Sequence, residues 1–320
     1  MAQRGDEPTP VTVLTGFLGA GKTTLLRHVL RHIDAERVVV VENEFGAARI
    51  DTELLDEIAP GMVRTVLGCI CCAVQGDLRH TFRSLVAARV AGTIDFDRVL
   101  LETTGMAEPG AIVETFCGDD DVAAAFRVDA VVTVADARQI RVDLANSPTA
   151  QAQVALADVL VVSKTDLVTP EVAAEVEAQL AAANPMATRI RALHGQVDPA
   201  HVLDLDAFSR VRLVPAARHV HEDFTSVVLT DPGPHDLRRV RAWIRRLART
   251  RPYDLYRYKG LVHTGRRPPR RVVLQGVHDL FSLEAARAWR ADEVPATTLV
   301  LIGVNLDGPQ LQAELEATRA

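Results

Sequence analysis

The chain has 320 residues, a formal net charge of −6 and a hydrophobic content of 48%. This length suits one large domain or two ordinary ones, and the apolar content is enough for buried cores. Residues 1–10 are polar, and no later run approaches the roughly 18 apolar residues of a membrane span. We therefore expect a soluble, cytoplasmic protein with no membrane partner. The four cysteines do not suggest a disulfide framework in a chain this long, which favours metal or redox chemistry.

Charge is unevenly distributed along the chain. Residues 216–320 carry 17 basic and 12 acidic side chains, whereas the remainder carries 19 and 30. This asymmetry predicts two domains, 8–215 and 216–320. The basic domain raises nucleic acid as a partner, but its arginines between 238 and 249 surround apolar residues at helical spacing, which favours a solvated helix face and no nucleic acid. The acidic run Asp119–Asp121 is expected to be a solvated loop.

The N-terminal part alternates short β-branched runs with helical patterns, which is typical of a mostly parallel sheet with crossover helices. The predicted strands are Val11–Thr15, Arg37–Val41, Val63–Leu67, Arg98–Leu101, Ala130–Ala135, Val159–Val162 and Thr188–Arg191. The predicted helices are Thr23–Arg31, Gln75–Ala91, Gln151–Leu156 and Pro170–Ala183. In such sheets the chemistry lies at the carboxyl ends of the strands.

The first predicted strand runs into Gly16-Phe17-Leu18-Gly19-Ala20-Gly21-Lys22-Thr23, a G-x-x-x-x-G-K-T pattern that opens a helix. Strand, loop and helix in this order indicate phosphate binding by backbone N–H groups and by the positive end of the helix. Lys22 would reach the β- and γ-phosphates as a catalytic residue, and the Thr23 hydroxyl would hold Mg²⁺. The predicted nucleotide-binding residues of this segment are Gly16, Gly19, Ala20, Gly21, Lys22, Thr23 and Thr24.

Lysine is rare in this chain. Only three of the 36 basic residues are lysines, namely Lys22, Lys164 and Lys259. A site that needs a compact ammonium between phosphates does not accept the planar fork of arginine, so the retention of lysine at position 22 supports the phosphate-binding interpretation.

The fourth predicted strand ends in Leu101-Glu102-Thr103-Thr104-Gly105. In phosphate-loop proteins an acid at this place polarises Mg²⁺ or its water, and a glycine three residues later lets the backbone approach the γ-phosphate. We assign catalytic roles to Glu102 and Gly105, with Glu102 and Thr23 as the magnesium pair. The alternative for Glu102 is an ordinary acid at a strand end.

The sixth predicted strand runs into Ser163-Lys164-Thr165-Asp166, close to the N-K-x-D pattern by which GTPases recognise guanine. The carboxylate of Asp166 would accept from guanine N1–H and from the exocyclic amine, while the stem of Lys164 stacks on the base. Adenine does not offer these two donors, so GTP is favoured over ATP. Ser163 stands where the pattern usually has Asn, and the contact it makes is expected to be shorter or mediated by water.

Three cysteines lie within four residues, in Cys69-Ile70-Cys71-Cys72. Three thiolates hold a borderline cation such as Zn²⁺, whose tetrahedral site needs a fourth ligand. Glu42 and Glu44, which follow the second strand, are the acidic candidates for that position, and a water is the other. The alternative is a group of reactive or buried thiols without metal.

Together these motifs resemble the CobW-type family of metal-handling phosphate-loop GTPases. The resemblance rests on residues 16–23, 42–46, 68–72, 102–109 and 163–166, and in the C-terminal part on residues 255–260 and 273–278. It implies an α/β fold with a mostly parallel P-loop NTPase sheet flanked by helices, followed by a smaller α+β domain. Family members usually carry another Glu after Phe45-Gly46, where this chain has Ala47, so the chain lacks one carboxylate that a secondary metal site would use.

The leading hypothesis is a GTP-hydrolysing metallochaperone that binds Zn²⁺ at the C-x-C-C motif and transfers it to a client metalloprotein in a nucleotide-dependent way. Its cofactors would be GTP, Mg²⁺ and Zn²⁺, and homo-oligomerisation stays open. One alternative is a nucleotide-gated regulator, or a module that binds nucleic acid or protein through the basic C-terminal domain. Another is a small-molecule kinase, which would need neither Asp166 nor the cysteines.

Overall fold

The structure is a computed structural model. It describes residues 7–33, 37–43, 63–67, 74–117, 119–208, 224–251, 254–265, 270–290 and 292–320. Contacts within the chain define two compact units, the first comprising residues 1–177 and 187–208 and the second residues 178–186 and 209–320. The boundary predicted between residues 215 and 216 lies in 209–223, outside the described residues.

A seven-stranded parallel sheet forms the centre of the first unit. Its strands are β1 (Thr9–Thr15), β2 (Val38–Asn43), β3 (Val63–Leu67), β4 (Arg98–Thr103), β5 (Phe126–Asp136), β6 (Val159–Ser163) and β7 (Thr188–Ala192), in the order β3-β2-β4-β1-β5-β6-β7. A parallel sheet buried on both faces needs strands that are apolar throughout, and β6 is buried along its whole length. The predicted parallel sheet is confirmed.

The helices described up to residue 183 are α1 (Lys22–Arg31), α2 (Val74–Val90), α3 (Pro109–Cys117), α4 (Asp120–Ala125), α5 (Ile140–Asn146), α6 (Pro148–Leu156) and α7 (Pro170–Ala183). The division between the two units falls within α7, after residue 177. The sequence did not predict α3, α4 and α5, and the solvated loop expected at Asp119–Asp121 is wrong. Asp119 is buried, accepts a hydrogen bond from Val122 N at 3.2 Å and forms an ion pair with Arg83 at 2.9 Å. It is the N-cap of α4, because its carboxylate satisfies a helix donor that has no other partner.

The sheet order brings the predicted motifs to one edge. Strand β1 lies between β4 and β5, and β6 follows β5, so the carboxyl ends of all four strands are neighbours. In register, Leu14 pairs with Glu102, and Asp136 pairs with Ser163. Helix α1 packs through Leu25, Leu26 and Val29 into the core that β1, β4 and β5 line, which fixes the start of the helix at this edge.

From residue 224 onward, the described part of the second unit is an antiparallel sheet with two helices. Its elements are β8 (Phe224–Asp231), α8 (Leu237–Thr250), β9 (Leu255–His263), β10 (Arg270–Val277), β11 (Leu280–Ala288), β12 (Thr297–Val304) and α9 (Gly308–Glu316), with strand order β11-β10-β9-β12-β8. Helix α8 buries Val240, Trp243, Ile244 and Leu247 and exposes its arginines, as its helical spacing predicted. The predicted α+β second domain is confirmed. Within the described segments, every helix is too short or too polar to cross a membrane.

A buried histidine in the loop after β8, His235, contacts Thr318, which follows α9. His235 is 2% exposed, and its Nδ1 lies 2.7 Å from Thr318 Oγ1. The Thr318 hydroxyl also donates to the Leu315 carbonyl at 2.7 Å, and His235 Nε2 lies 3.6 Å from the carboxylate of Asp231. Burial lowers the pKa of His235, and Arg319 and His263 act in the same direction against the opposing effect of Asp231.

We expect the stability of the protein to fall as the pH drops through about 6.5, the ordinary pKa of histidine, because the unfolded chain then binds a proton that buried His235 resists. A His235→Gln variant should be less stable at neutral pH but should lose less of its free energy of unfolding between about pH 7.5 and about pH 5.5. Denaturant titrations at both pH values measure this, with exposed His201→Gln as the control. Identical pH dependence in wild type and His235→Gln would contradict the prediction.

Candidate nucleotide-binding site

The loop between β1 and α1 has the backbone conformation that wraps an anion. Gly16 and Gly21 have φ values of 138° and 105°, in the left-handed region that favours glycine. A Cβ on Gly16 would lie 2.3 Å from the carbonyl oxygen of Val134 on β5, so no larger residue fits there. Gly21 is the N-cap residue of α1, and it turns the chain so that the positive end of the helix faces the loop.

The Lys22 side chain curls back over this loop. Its ammonium donates to the carbonyl oxygens of Gly16 at 2.9 Å and Phe17 at 3.3 Å, and the residue is 7% exposed. A single positive charge is thus held above the glycine backbone, at the place where the phosphate pattern requires it. The contact of Lys22 with phosphate stays a prediction.

The structure brings together the two residues predicted to hold Mg²⁺. The Thr23 hydroxyl donates to Glu102 Oε1 at 2.7 Å, although the two residues are 79 positions apart in the chain. Glu102 is 4% exposed at the end of β4. The ends of β1 and β4 are also joined directly, because the Thr103 hydroxyl donates to Thr15 Oγ1 at 2.9 Å. A hydroxyl and a buried carboxylate therefore lie side by side next to the phosphate loop.

The segment after β4 lies against the same loop. A Cβ on Gly105 would lie 2.7 Å from the backbone nitrogen of Leu18, so only glycine permits this close approach. The amide of Ala107 donates to the Thr104 carbonyl at 3.1 Å and closes a turn around Gly105. The predicted γ-phosphate segment and the phosphate loop are thus in direct contact.

The predicted base-recognition motif is anchored to the phosphate loop through its first two residues. The Ser163 hydroxyl donates to the Ala20 carbonyl at 2.7 Å, without an intervening water. Lys164, at φ 56°, donates to the Gly19 carbonyl at 2.6 Å. Asp166 lies in the 3₁₀ turn Thr165–Leu167 and its side chain is exposed. The serine therefore reaches the loop in place of the usual asparagine, and the Asp166 carboxylate is accessible to a base.

Sequence reasoning missed three residues of this site. Asp136 ends β5 and forms an ion pair with Lys164 at 2.7 Å, which a search for acids at strand ends could have found. A Cβ on Gly195 would meet Thr24 Cγ2 at 2.8 Å, so the loop after β7 packs on the start of α1. Gln153 donates to the segment after β4, but the same helix carries a second glutamine, Gln151, so the sequence alone does not single out Gln153.

Most of the predicted zinc ligands lie outside the described residues, namely Cys69, Cys71, Cys72 and Glu44, as does Ala47. The backbone of Glu42 is described at the end of β2, in register with Glu102. Among the described residues, no group of three or more His, Cys, Asp or Glu side chains could hold a metal ion. The zinc site therefore stays a prediction.

Two family models match the chain. Residues 10–191 match the model described as CobW/HypB/UreG, nucleotide-binding domain, and residues 224–319 match the cobalamin synthesis protein cobW C-terminal domain. The chain is 33% identical to the zinc chaperone YjiA of Escherichia coli (strain K12), over 98% of this chain and 99% of that protein. It is also 33% identical to the zinc chaperone CobW of Pseudomonas aeruginosa, over 97% and 92% of the two chains.

A solved structure shows the same architecture. The crystal structure of Zn(II)-bound YjiA GTPase from E. coli superposes with a TM-score of 0.82 at 30% identity, covering 98% of this chain and 100% of that chain. The agreement spans both the parallel sheet with its phosphate loop and the antiparallel second unit. The chain therefore belongs to the CobW/HypB/UreG family and is a CobW-type phosphate-loop GTPase.

Proposed function

We propose that this GTPase is a zinc metallochaperone that binds Zn²⁺ at Cys69, Cys71 and Cys72 and delivers it to a client protein under the control of the bound nucleotide. One observation carries the proposal. A continuous row of register partners crosses four neighbouring strands. It runs from Leu67 on β3 through Glu42 on β2 and Glu102 on β4 to Leu14 on β1. The row joins the start of the cysteine segment to the start of the phosphate loop.

This row is short enough for a movement at Glu102 to reach the cysteine segment. Adjacent strands are about 4.8 Å apart, so the end of β3 lies only about 10 Å from Glu102 on β4. The cysteine cluster begins two residues after Leu67. Segments that contact the γ-phosphate and Mg²⁺ change their order or position on hydrolysis in switch GTPases. A shift at Glu102 would therefore be transmitted to the metal ligands through a single intervening strand.

Thr23 at the start of α1 and Glu102 at the end of β4 fit a magnesium ion. Mg²⁺ prefers oxygen ligands, and the Thr23 hydroxyl and Glu102 carboxylate lie together at 2.7 Å beside the phosphate loop. When bound there, Mg²⁺ would neutralise charge on the β- and γ-phosphate oxygens. Lys22 would orient the same phosphates, and the backbone of Gly105 would approach the γ-phosphate. Lys164, held by Asp136, would flank the base that Asp166 selects.

The second unit is proposed to recognise the client. Arg241, Arg245 and Arg249 are exposed on one side of α8 and form no ion pair with any described residue. This arrangement fits an acidic surface of a partner protein. Nucleic acid is the second candidate, but the aromatic residue of this helix, Trp243, is buried and bonded to Glu314, so it is not free to stack on bases.

Zinc and nucleotide binding should be coupled. Titration of the protein with Zn²⁺, with and without a non-hydrolysable GTP analogue, is expected to show affinities that differ by about 5- to 150-fold, and linkage requires Zn²⁺ to change GTP-analogue affinity by the same factor. A variant with Cys71→Ser and Cys72→Ser should lose tight Zn²⁺ binding and the coupling while it still binds GTP. Zn²⁺ affinity should also fall with pH, because protons compete for the thiolates.

Cys117→Ser is the matched control, because it removes a thiol outside the cluster and should change neither affinity. Persistent tight Zn²⁺ binding in the double serine variant would place the metal elsewhere. That outcome needs a direct test, because a triple mutant of YjiA with one glutamate and two cysteines replaced is also known in a Zn(II)-bound crystal structure. Equal Zn²⁺ affinities with and without the analogue would leave a GTPase that binds zinc without nucleotide control.

A further inference from the structure

Gln153 on α6 is a buried amide that contacts the segment after β4. It is 1% exposed, and its Nε2 donates to the carbonyl oxygens of Gly105 at 3.2 Å and Ala107 at 3.0 Å. Both amide protons are therefore used on one short segment. The backbone carbonyl of Gln153 accepts from the Thr133 hydroxyl at 2.7 Å, which fastens this turn of α6 to the central strand β5.

The segment that Gln153 contacts is the one predicted to approach the γ-phosphate. Gly105 lies against the phosphate loop on one side, close to Leu18, and is bonded to Gln153 on the other. Between the two bonded carbonyls, the side chain of Met106 is 58% exposed and contributes little packing. The position of the segment therefore depends on a few polar contacts, of which Gln153 supplies two.

The side-chain oxygen of Gln153 makes no hydrogen bond within the described residues. Its Oε1 is buried and accepts no hydrogen bond from any described residue. A buried acceptor without a donor raises the free energy of an arrangement. Rotation of one peptide group in the segment, together with a half-turn of the Gln153 side-chain amide, would bring a backbone N–H to Oε1, which could accept from it. An amide that carries both donors and an acceptor can thus hold the segment in either of two arrangements.

We propose that Gln153 is a positioning residue for GTP hydrolysis, which holds Gly105 against the phosphate loop so that the segment is prepared for the γ-phosphate. GDP lacks that phosphate and gains nothing from this position. Gln153 therefore sets the ratio of the affinities for GTP and GDP, and it acts through the backbone of the segment without touching the nucleotide.

Replacing Gln153 by methionine tests this, because methionine fills a similar volume and donates no hydrogen bond. We expect the affinity for a non-hydrolysable GTP analogue to fall about tenfold, as for two neutral hydrogen bonds, with kcat reduced and GDP affinity within about twofold of wild type. Gln151→Met is the matched control. Gln151 lies on the same helix and donates to the Leu144 carbonyl at 2.8 Å, away from the segment after β4.

A Gln153→Glu variant separates positioning from packing. Its carboxylate would face the two carbonyl oxygens and weaken analogue binding further, and relative to wild type it should recover as the pH falls, because a protonated carboxyl donates one hydrogen bond again. Thermal unfolding verifies that the variants are folded. Equal losses of GTP-analogue and GDP affinity in Gln153→Met would reduce Gln153 to a packing residue, and unchanged affinities would show that it does not hold the segment.

Discussion

Replacing Lys22 by alanine is expected to lower the rate of GTP hydrolysis by at least about 10²-fold, because the ammonium stabilises the charge that develops on the transferring phosphate. The fold should persist. The ammonium of Lys22 donates to the loop carbonyls of Gly16 and Phe17, and a hydrogen bond of a charged donor contributes about 1.5–3 kcal/mol, whereas the apolar packing of α1 comes from Leu25, Leu26 and Val29. Phosphate release measures the activity, and circular dichroism with thermal unfolding measures the fold.

Arg31→Ala is the control for this experiment. Arg31 is an exposed cation at the far end of α1, about 13 Å along the helix from Lys22, and its loss should leave hydrolysis unchanged. Lys22→Arg should not restore activity, because the planar guanidinium cannot take the place of a compact ammonium over the glycine backbone. Normal turnover in Lys22→Ala would end the assignment of this loop to phosphate binding.

The strands of the first unit could be predicted because a parallel sheet leaves a clear pattern in sequence. A strand buried on both faces is a continuous apolar run, as in Val159–Val162, which ends at polar Ser163, whereas β7 at the edge of the sheet is mostly exposed. The short helices α3, α4 and α5 give no such signal. In Asp119–Asp121 the composition indicated a loop, but the helix start depends on one carboxylate accepting from a backbone amide, a contact that charge counting does not detect.

In the candidate site, too, some residues have a local sequence pattern and others are found only through their tertiary contacts. Lys22 and Thr23 are encoded within eight consecutive residues, and Glu102 follows from the end of an apolar strand. Asp136 and Gln153 act only across the folded structure, because each reaches a segment that is distant in sequence. Local patterns therefore predict the groups that would contact phosphate and could also point to Asp136 as an acid at a strand end, whereas the contacts of Gln153 are seen only in the tertiary structure.

The departure at Ser163 illustrates how a substitution can preserve a contact. Its hydroxyl is shorter than an asparagine amide, yet it reaches the Ala20 carbonyl at 2.7 Å and also lies 3.3 Å from the Ala135 carbonyl. A hydroxyl has one proton to donate, whereas the amide has two. Ser163 thus keeps the link between the base motif and the phosphate loop with one donor, where asparagine would have two. Lys164 supplies the second link through the Gly19 carbonyl.

Asp166→Asn is expected to weaken GTP binding by about 10²-fold or more and to improve binding of xanthosine triphosphate, since a mismatched partner leaves a buried polar group unpaired. The carboxylate accepts from guanine N1–H and the exocyclic amine. Xanthine has an oxygen in place of that amine, and the asparagine amide can donate to it. Competition of both nucleotides against a labelled GDP analogue measures the exchange of preference.

The Asp166→Asn substitution tests base recognition separately from loop structure, because the described contacts of this motif with the phosphate loop do not involve Asp166. Ser163 and Lys164 make those contacts, so the variant should keep its loop geometry and lose only the carboxylate. Asp198→Asn is the matched control. Asp198 caps the other 3₁₀ turn by accepting from Ala200 N at 2.9 Å, and its change should leave both affinities as in wild type. A wild-type preference for ATP, or a loss of GTP affinity in Asp166→Asn without any gain for xanthosine triphosphate, would show that the Asp166 carboxylate does not recognise guanine.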